Sequence, residues 1–132
     1  MAETMPFELV SPERRLAAGE AEMVTIPGAM GDLGAMPGHA PMLTTLRPGL
    51  LVVKGGAAAG EYFVTGGFAE VTPESGAAIL AEEAVERKTL TRDWFDARIA
   101  SARAALEAAP AEGRQAAAMR LNDFETAASQ LL

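Results

Sequence analysis

The chain has no cysteine, a single histidine, one tryptophan and one tyrosine among 132 residues. Without cysteine it forms no disulfide and does no thiol chemistry. One imidazole with no thiolate beside it leaves a structural zinc site without its ligands. No apolar run approaches the roughly 20 residues that a bilayer-spanning helix needs. The start, Met1 to Pro6, has neither a basic region nor a long apolar one. It is expected to be neither a secretory signal nor an Arg-rich transit peptide, so the chain should stay in the compartment where it is made. Positive charge is scarce at first: residues 1–85 hold four basic residues (Arg14, Arg15, Arg47, Lys54) against eleven acidic ones, whereas residues 86–132 hold seven of each sign. The whole net charge of −7 therefore sits on the first part. Such a surface repels phosphate backbones and anionic headgroups, which disfavours nucleic-acid binding and autonomous membrane binding.

What remains is apolar for 49% of its length, enough for a core in one ordinary domain or one small domain with an appendage. Short apolar or alternating runs occupy Phe7 to Val10, Ala21 to Ile26, Met42 to Leu46, Leu50 to Lys54, Glu61 to Thr65, Phe68 to Val71 and Ala77 to Leu80. Gly/Pro pairs punctuate them, a pattern that predicts a sandwich or barrel. Gly66-Gly67 suits a two-residue hairpin turn between its flanking runs. From Thr91 the grammar changes to alanine-rich helix. Thr91 is placed as N-cap, Asp93 in the first turn, and Leu90 with Phe95 as a hydrophobic staple. Phe95, Ile99, Ala102 and Leu106 recur on one face. After the break Pro110-Ala-Glu-Gly113 a second stripe follows in Ala117, Leu121, Phe124, Ala128 and Leu131. The expected fold class is α+β: a flattened antiparallel β-sandwich or barrel over residues 1–86, then an antiparallel two-helix hairpin over residues 87–132. Alanine-rich faces bury little area, so the hairpin is expected to be weakly held.

Four constellations invite a chemical reading. His39 lies in Gly31 to Gly49, a run too rich in Gly and Pro to be helical, and it could partner Asp32 and a hydroxyl of Thr44, Thr45 or Ser75 as a small hydrolase. A lone histidine without a Gly-x-Ser-x-Gly elbow favours a turn-capping role instead. Gly28-Ala-Met-Gly31-Asp-Leu-Gly34 lacks the Gly-Lys-Ser/Thr of a phosphate loop and leads into no helix, so it reads as a mobile turn with Asp32 near its tip. Arg92, Arg98, Arg103, Arg114 and Arg120 line the helices, where Arg92–Asp96 and Arg103–Glu107 are spaced for intrahelical pairs. Met23 and Met42 fall in strand-like runs and are expected in the core. Met30 and Met36 flank the glycine-rich loop and hint at a partner surface.

Several of these pieces, in order, resemble the epsilon subunit family of F-type ATP synthases. They are Phe7-Glu-Leu-Val-Ser-Pro12, Gly31-Asp-Leu-Gly34, Pro37-Gly-His-Ala-Pro41, Leu46-Arg-Pro-Gly49 and Val64-Thr-Gly-Gly-Phe-Ala-Glu-Val71, followed by the alanine-rich tail. The resemblance implies a non-catalytic rotor subunit of the central stalk, clamped to gamma with its sandwich base on the ring of c subunits, and with no cofactor or metal of its own. It implies a peripheral position on the cytoplasmic face of the bacterial inner membrane, held there by the complex alone. It places Asp32, Met36, His39 and Pro41 at the interface with gamma and the c ring. It places Arg98, Arg103, Arg114 and Arg120 against an acidic segment of the beta subunit and against gamma, near alpha, where the hairpin would block hydrolysis. Some members bind ATP through an Ile/Leu-Asp-x-x-Arg-Ala motif. Here Asp96 and Arg98 stand two apart, not three, which argues against the alternative of an adenine-nucleotide sensor.

Overall fold

The computed structural model describes residues 3–132; Met1 and Ala2, part of the start discussed above, lie outside the described residues. The chain divides into two compact units, Met1–Arg87 and Lys88–Leu132. Among its described residues the first contains ten strands: β1 (Met5–Val10), β2 (Arg15–Ala21), β3 (Met23–Gly28), β4 (Gly31–Ala35), β5 (Met42–Leu46), β6 (Gly49–Lys54), β7 (Gly60–Val64), β8 (Gly67–Thr72), β9 (Gly76–Ala81) and β10 (Ala84–Glu86). They are ordered β10-β7-β6-β3-β5-β8-β9-β1-β2, with β4 alongside β3. Pairing is antiparallel throughout except between β1 and β9, which run parallel. The sheet closes over one core: Phe7 and Leu9 of β1, Val24 and Ile26 of β3, Leu51 and Val53 of β6, and Val71 and Ile79 of β8 and β9 join a single buried cluster. That arrangement is the sandwich that the short, punctuated strands predict.

Two local expectations fail. Gly66-Gly67 does not close a hairpin, because β7 pairs with β6 and β10 while β8 pairs with β5 and β9. The hydrogen bonds that would have closed a hairpin go elsewhere. Thr65 N–H donates to the Glu83 carbonyl (3.1 Å), Glu82 N–H donates to the Gly66 carbonyl (2.9 Å), and Glu83 N–H donates to Thr65 Oγ1 (3.2 Å). Gly67 has φ +122°, and a Cβ there would overlap the Leu80 carbonyl. The glycine therefore serves a close crossing onto β9, not a tight turn. The second failure is the Gly31 to Ala35 stretch, which is a strand and not a mobile turn. Leu33 and Ala35 alternate inward with Asp32 and Gly34 outward, and the strand pairs with β3 from Val24↔Ala35 to Gly28↔Gly31. Only Ala29 and Met30 form the turn, held by Ala29 N–H donating to the Thr45 carbonyl at 2.9 Å.

In the second unit a 3₁₀ turn at Arg87–Thr89 precedes α1 (Arg92–Ala108), and a second at Ala111–Gly113 precedes α2 (Arg114–Leu131). Thr91 is the N-cap of α1: its side chain accepts from the Trp94 N–H at 3.1 Å. Both helical stripes appear as expected, with Phe95, Ala102, Phe124 and Ala128 buried and Ile99, Leu106, Ala117, Leu121 and Leu131 partly so. Asp123 and Ala127 are buried on α2 as well.

Candidate interaction surface

The residues singled out from the sequence fall on one continuous segment. Asp32 lies on β4, opposite Pro27 in register and exposed. β4 pairs only with β3, so its other edge carries no ladder. Met36 follows the strand at 57% exposure. A turn then closes through His39 N–H donating to the Met36 carbonyl (3.0 Å), and His39 Nδ1 donates to the Ala40 carbonyl (2.6 Å). Pro41, exposed, leads into β5. His39 is thus engaged with its own turn. Of the hydroxyls proposed as its partners, that of Thr44 is used locally: Thr44 Oγ1 donates to the Thr45 carbonyl at 3.1 Å. Nothing in this segment assembles a nucleophile, a base and an orienting acid. Among the described residues no cluster of His, Cys, Asp and Glu is arranged to hold a metal ion.

The sequence reading missed a second surface. Leu43, Phe68 and Leu80 are 68%, 53% and 59% exposed, and they lie on the adjacent strands β5, β8 and β9. Phe68 stands directly opposite Leu80 on one side and Thr45 on the other, and Leu80 opposite Val10. Leu43, two residues from Thr45 along β5, is the diagonal neighbour of Phe68, within reach of an aromatic side chain. Glu70 borders this apolar row, as does Glu8, which accepts from Arg15 Nη2 at 3.1 Å. An apolar group rimmed by charge on an outward sheet face is the kind of patch at which another surface can sit. The signal was present in the strand phase. With Ala69 and Val71 inward, Phe68 must face out, and with Ile79 and Ala81 inward, so must Leu80.

The helical arginines are mostly occupied within the hairpin. Arg92 pairs with Asp96 at 3.8 Å, as its spacing predicts. Arg103 does not pair with Glu107; it reaches across to Glu125 of α2 at 3.2 Å, because the antiparallel partner brings a carboxylate to it. Arg98 lies 4.2 Å from the centre of the Trp94 ring and donates to the Trp94 carbonyl at 3.3 Å. Arg120 lies 5.1 Å from the Phe124 ring, and Arg114, exposed, opens α2. An open groove of about 800 Å³ runs between the helices past Arg92, Asp96, Arg103, Glu125 and Ser129. Its guanidinium and carboxylate groups alternate, so it offers an anion no concentrated positive field. No helix among the described residues is long and apolar enough to cross a membrane.

Comparison with known proteins identifies the family. Residues 4–87 match the family described as ATP synthase, Delta/Epsilon chain, beta-sandwich domain. The ATP synthase epsilon chain of Rhodobacter capsulatus is 48% identical over 131 residues, covering 99% of this chain and 98% of the relative. That of a Cereibacter sphaeroides strain is 49% identical over 124 residues, covering 94% and 93%. Among solved structures, a chain in the OSCP/F1/c-ring assembly of Euglena gracilis mitochondrial ATP synthase superposes with a TM-score of 0.73 at 23% identity, covering 98% of this chain and 82% of that one. A chain of the Tetrahymena thermophila mitochondrial ATP synthase central stalk and c ring superposes at 0.68 with 20% identity, covering 96% and 97%. At such identities the structural likeness is one of fold.

Proposed function

The chain belongs to the ATP synthase epsilon chain family, and we propose that it works in the central stalk, passing rotation of the c ring to gamma. It is a subunit of a catalytic complex and not itself a catalyst. The observation that carries the coupling role is the apolar row of Leu43, Phe68 and Leu80 on a sheet that is otherwise rigidly packed. A rotor part needs a stiff body with a fixed docking face, and a sandwich whose inward side chains form one core supplies it.

In this reading the segment from Asp32 through Met36 and His39 to Pro41 faces gamma and the ring. Asp32 offers a carboxylate with no ion-pair partner among the described residues, and His39 holds the turn. Arg98, Arg103, Arg114 and Arg120 are the groups that would meet the acidic beta segment beside gamma and alpha. Arg114 is the readiest of them, because Arg103 must first leave Glu125 and Arg98 and Arg120 lie against rings. Each exposed pair contributes modestly and is screened by salt, so an inhibitory hairpin would act through several contacts together. The paired arginines of the groove count against nucleotide sensing. The assembled complex is membrane-associated. The chain itself would be peripheral, on the cytoplasmic face of the bacterial inner membrane, through its partners alone.

The deciding experiment is affinity purification of the tagged chain from its own cells. The expected result is recovery with alpha, beta and gamma subunits. Recovery of the chain without them would refute the stalk role.

A further inference from the structure

We propose that Met30 is a modification site: the sulfur that peroxide oxidises first among the methionines of the described residues 3–132, and whose oxidation weakens seating of the β3–β4 turn on the membrane sector of the synthase. The second half rests on the docking role proposed above for the neighbouring Asp32 segment.

With no cysteine present, all sulfur redox chemistry of this chain falls to its methionines. Their environments differ sharply. Met5 is 4% exposed inside the core, and Met42 packs against that core. Met23 lies with its terminal methyl over Gly34. Met36 and Met119 are 57% and 48% exposed, whereas Met30 is 99% exposed. This exposure does not come from a loose segment. Met30 occupies a two-residue turn between the paired Gly28 and Gly31, and the turn is pinned by the bond from Ala29 to Thr45. The backbone is held while the thioether alone stands in water. The fold makes no use of that thioether, so its apolar character serves contact with something outside the chain.

The step needs only hydrogen peroxide. A lone pair on Sδ attacks one peroxide oxygen, an S–O bond forms as the O–O bond breaks, and the departing hydroxide leaves as water by taking up the proton carried by the oxygen now bonded to sulfur. Sulfur loses two electrons and peroxide gains them. The product is a polar, chiral sulfoxide that thiol-dependent methionine sulfoxide reductases return to the thioether. Net charge is unchanged, but an apolar contact becomes one that resists desolvation. The reaction acts on the chain before assembly, while the turn is open to solvent.

The test uses the full chain, dilute hydrogen peroxide and a peptide mass map over time. Met30 should convert several-fold faster than Met36 and Met119, with Met5, Met23 and Met42 slowest. Met36 or Met119 reacting as fast as Met30 would overturn the assignment. The oxidised chain is then titrated onto synthase membranes stripped of their epsilon chains. Its affinity should fall several-fold relative to the untreated chain, while peroxide treatment should leave the affinity of Met30→Leu where it was before treatment. Undiminished seating of the sulfoxide overturns the proposal. Asp32→Ala separates the causes. If it seats weakly while the sulfoxide seats normally, the Met30 proposal alone fails. If neither change matters, the docking role of the segment fails with it.

Discussion

Replacing Phe68 and Leu80 together by serine should separate stability from assembly. The two side chains stand opposite each other across β8 and β9 and are 53% and 59% exposed. Their mutual contact is a cross-strand pair on an outer face, which contributes about 0.2–1 kcal/mol. A loss of that size lowers the melting temperature of an 80–90-residue unit by at most about 4–8 °C. The exposed half of each side chain is what a partner would cover. An aromatic side chain buries ~150–250 Å² in full, so about half of it at ~25 cal/mol/Å² corresponds to roughly 2–3 kcal/mol for Phe68 alone. Buried area converts imperfectly into affinity, but a well-packed aromatic anchor commonly costs about 2 kcal/mol or more on truncation. Association should therefore weaken by about 30- to 100-fold or more, at ~1.4 kcal/mol per tenfold. The assay is titration onto stripped synthase membranes beside a thermal melt of the free chain. Wild-type affinity in the double variant would refute the assignment of this face as the docking face. A melting temperature lowered by far more than the pair contact allows would show that the two residues support the fold instead.

Three other perturbations probe separate parts of the chain. Thr91→Ala removes the side-chain acceptor for the Trp94 N–H and should cost about 1 kcal/mol of α1; Trp94 is the only tryptophan, so its fluorescence and amide exchange report the frayed first turn directly. Gly76→Ala forces φ +72° on a residue with a Cβ that would overlap the Pro6 carbonyl, so a loss exceeding the ~1–3 kcal/mol of backbone strain alone is expected in denaturant melts. Truncation after Arg87 removes no member of the buried cluster of the first unit; assembly should persist while ATP hydrolysis by the complex rises, and unchanged hydrolysis would take the inhibitory role from the hairpin.

The elements that were legible in the sequence are those whose signal is local. The Thr91 cap, the two helical stripes and the break at Pro110 to Gly113 each depend on residues within a few positions, and each stands where the pattern put it. Most strands were equally plain, because their apolar residues alternate. β4 escaped because two of its five residues are glycine, and glycine contributes no side chain to an alternation; what makes it a strand is the ladder offered by β3. β2 escaped likewise, since Leu16 and Ala17 are only partly buried at the sheet margin and its pairing with β1 carries a shift beside Leu9. Gly66-Gly67 misled for a related reason. Two adjacent glycines permit a primed turn, but they equally permit one backbone to cross close above another, and only the distant Glu82 and Glu83 decide between the two.

The same division separates the two halves of the candidate surface. Asp32, Met36, His39 and Pro41 are contiguous in sequence, so a single motif exposes them together. Leu43, Phe68 and Leu80 are drawn from three strands, and they meet only because β8 lies between β5 and β9. Arg103 shows the same principle in the hairpin. Along the helix Glu107 is the available carboxylate, yet the antiparallel packing of α2 brings Glu125 to 3.2 Å, and the tertiary partner takes the bond. That contact has a consequence for function. In the proposed reading, a hairpin whose Arg103 is bonded to Glu125 of its second helix, and whose Arg98 and Arg120 lie over its own rings, would have to give up those contacts to engage an acidic surface. An extended state would therefore be opposed by internal contacts that are individually small, the Arg103–Glu125 pair among them being exposed and salt-screened. Such a balance lies within reach of the modest differential affinity that a change in a neighbouring subunit would supply.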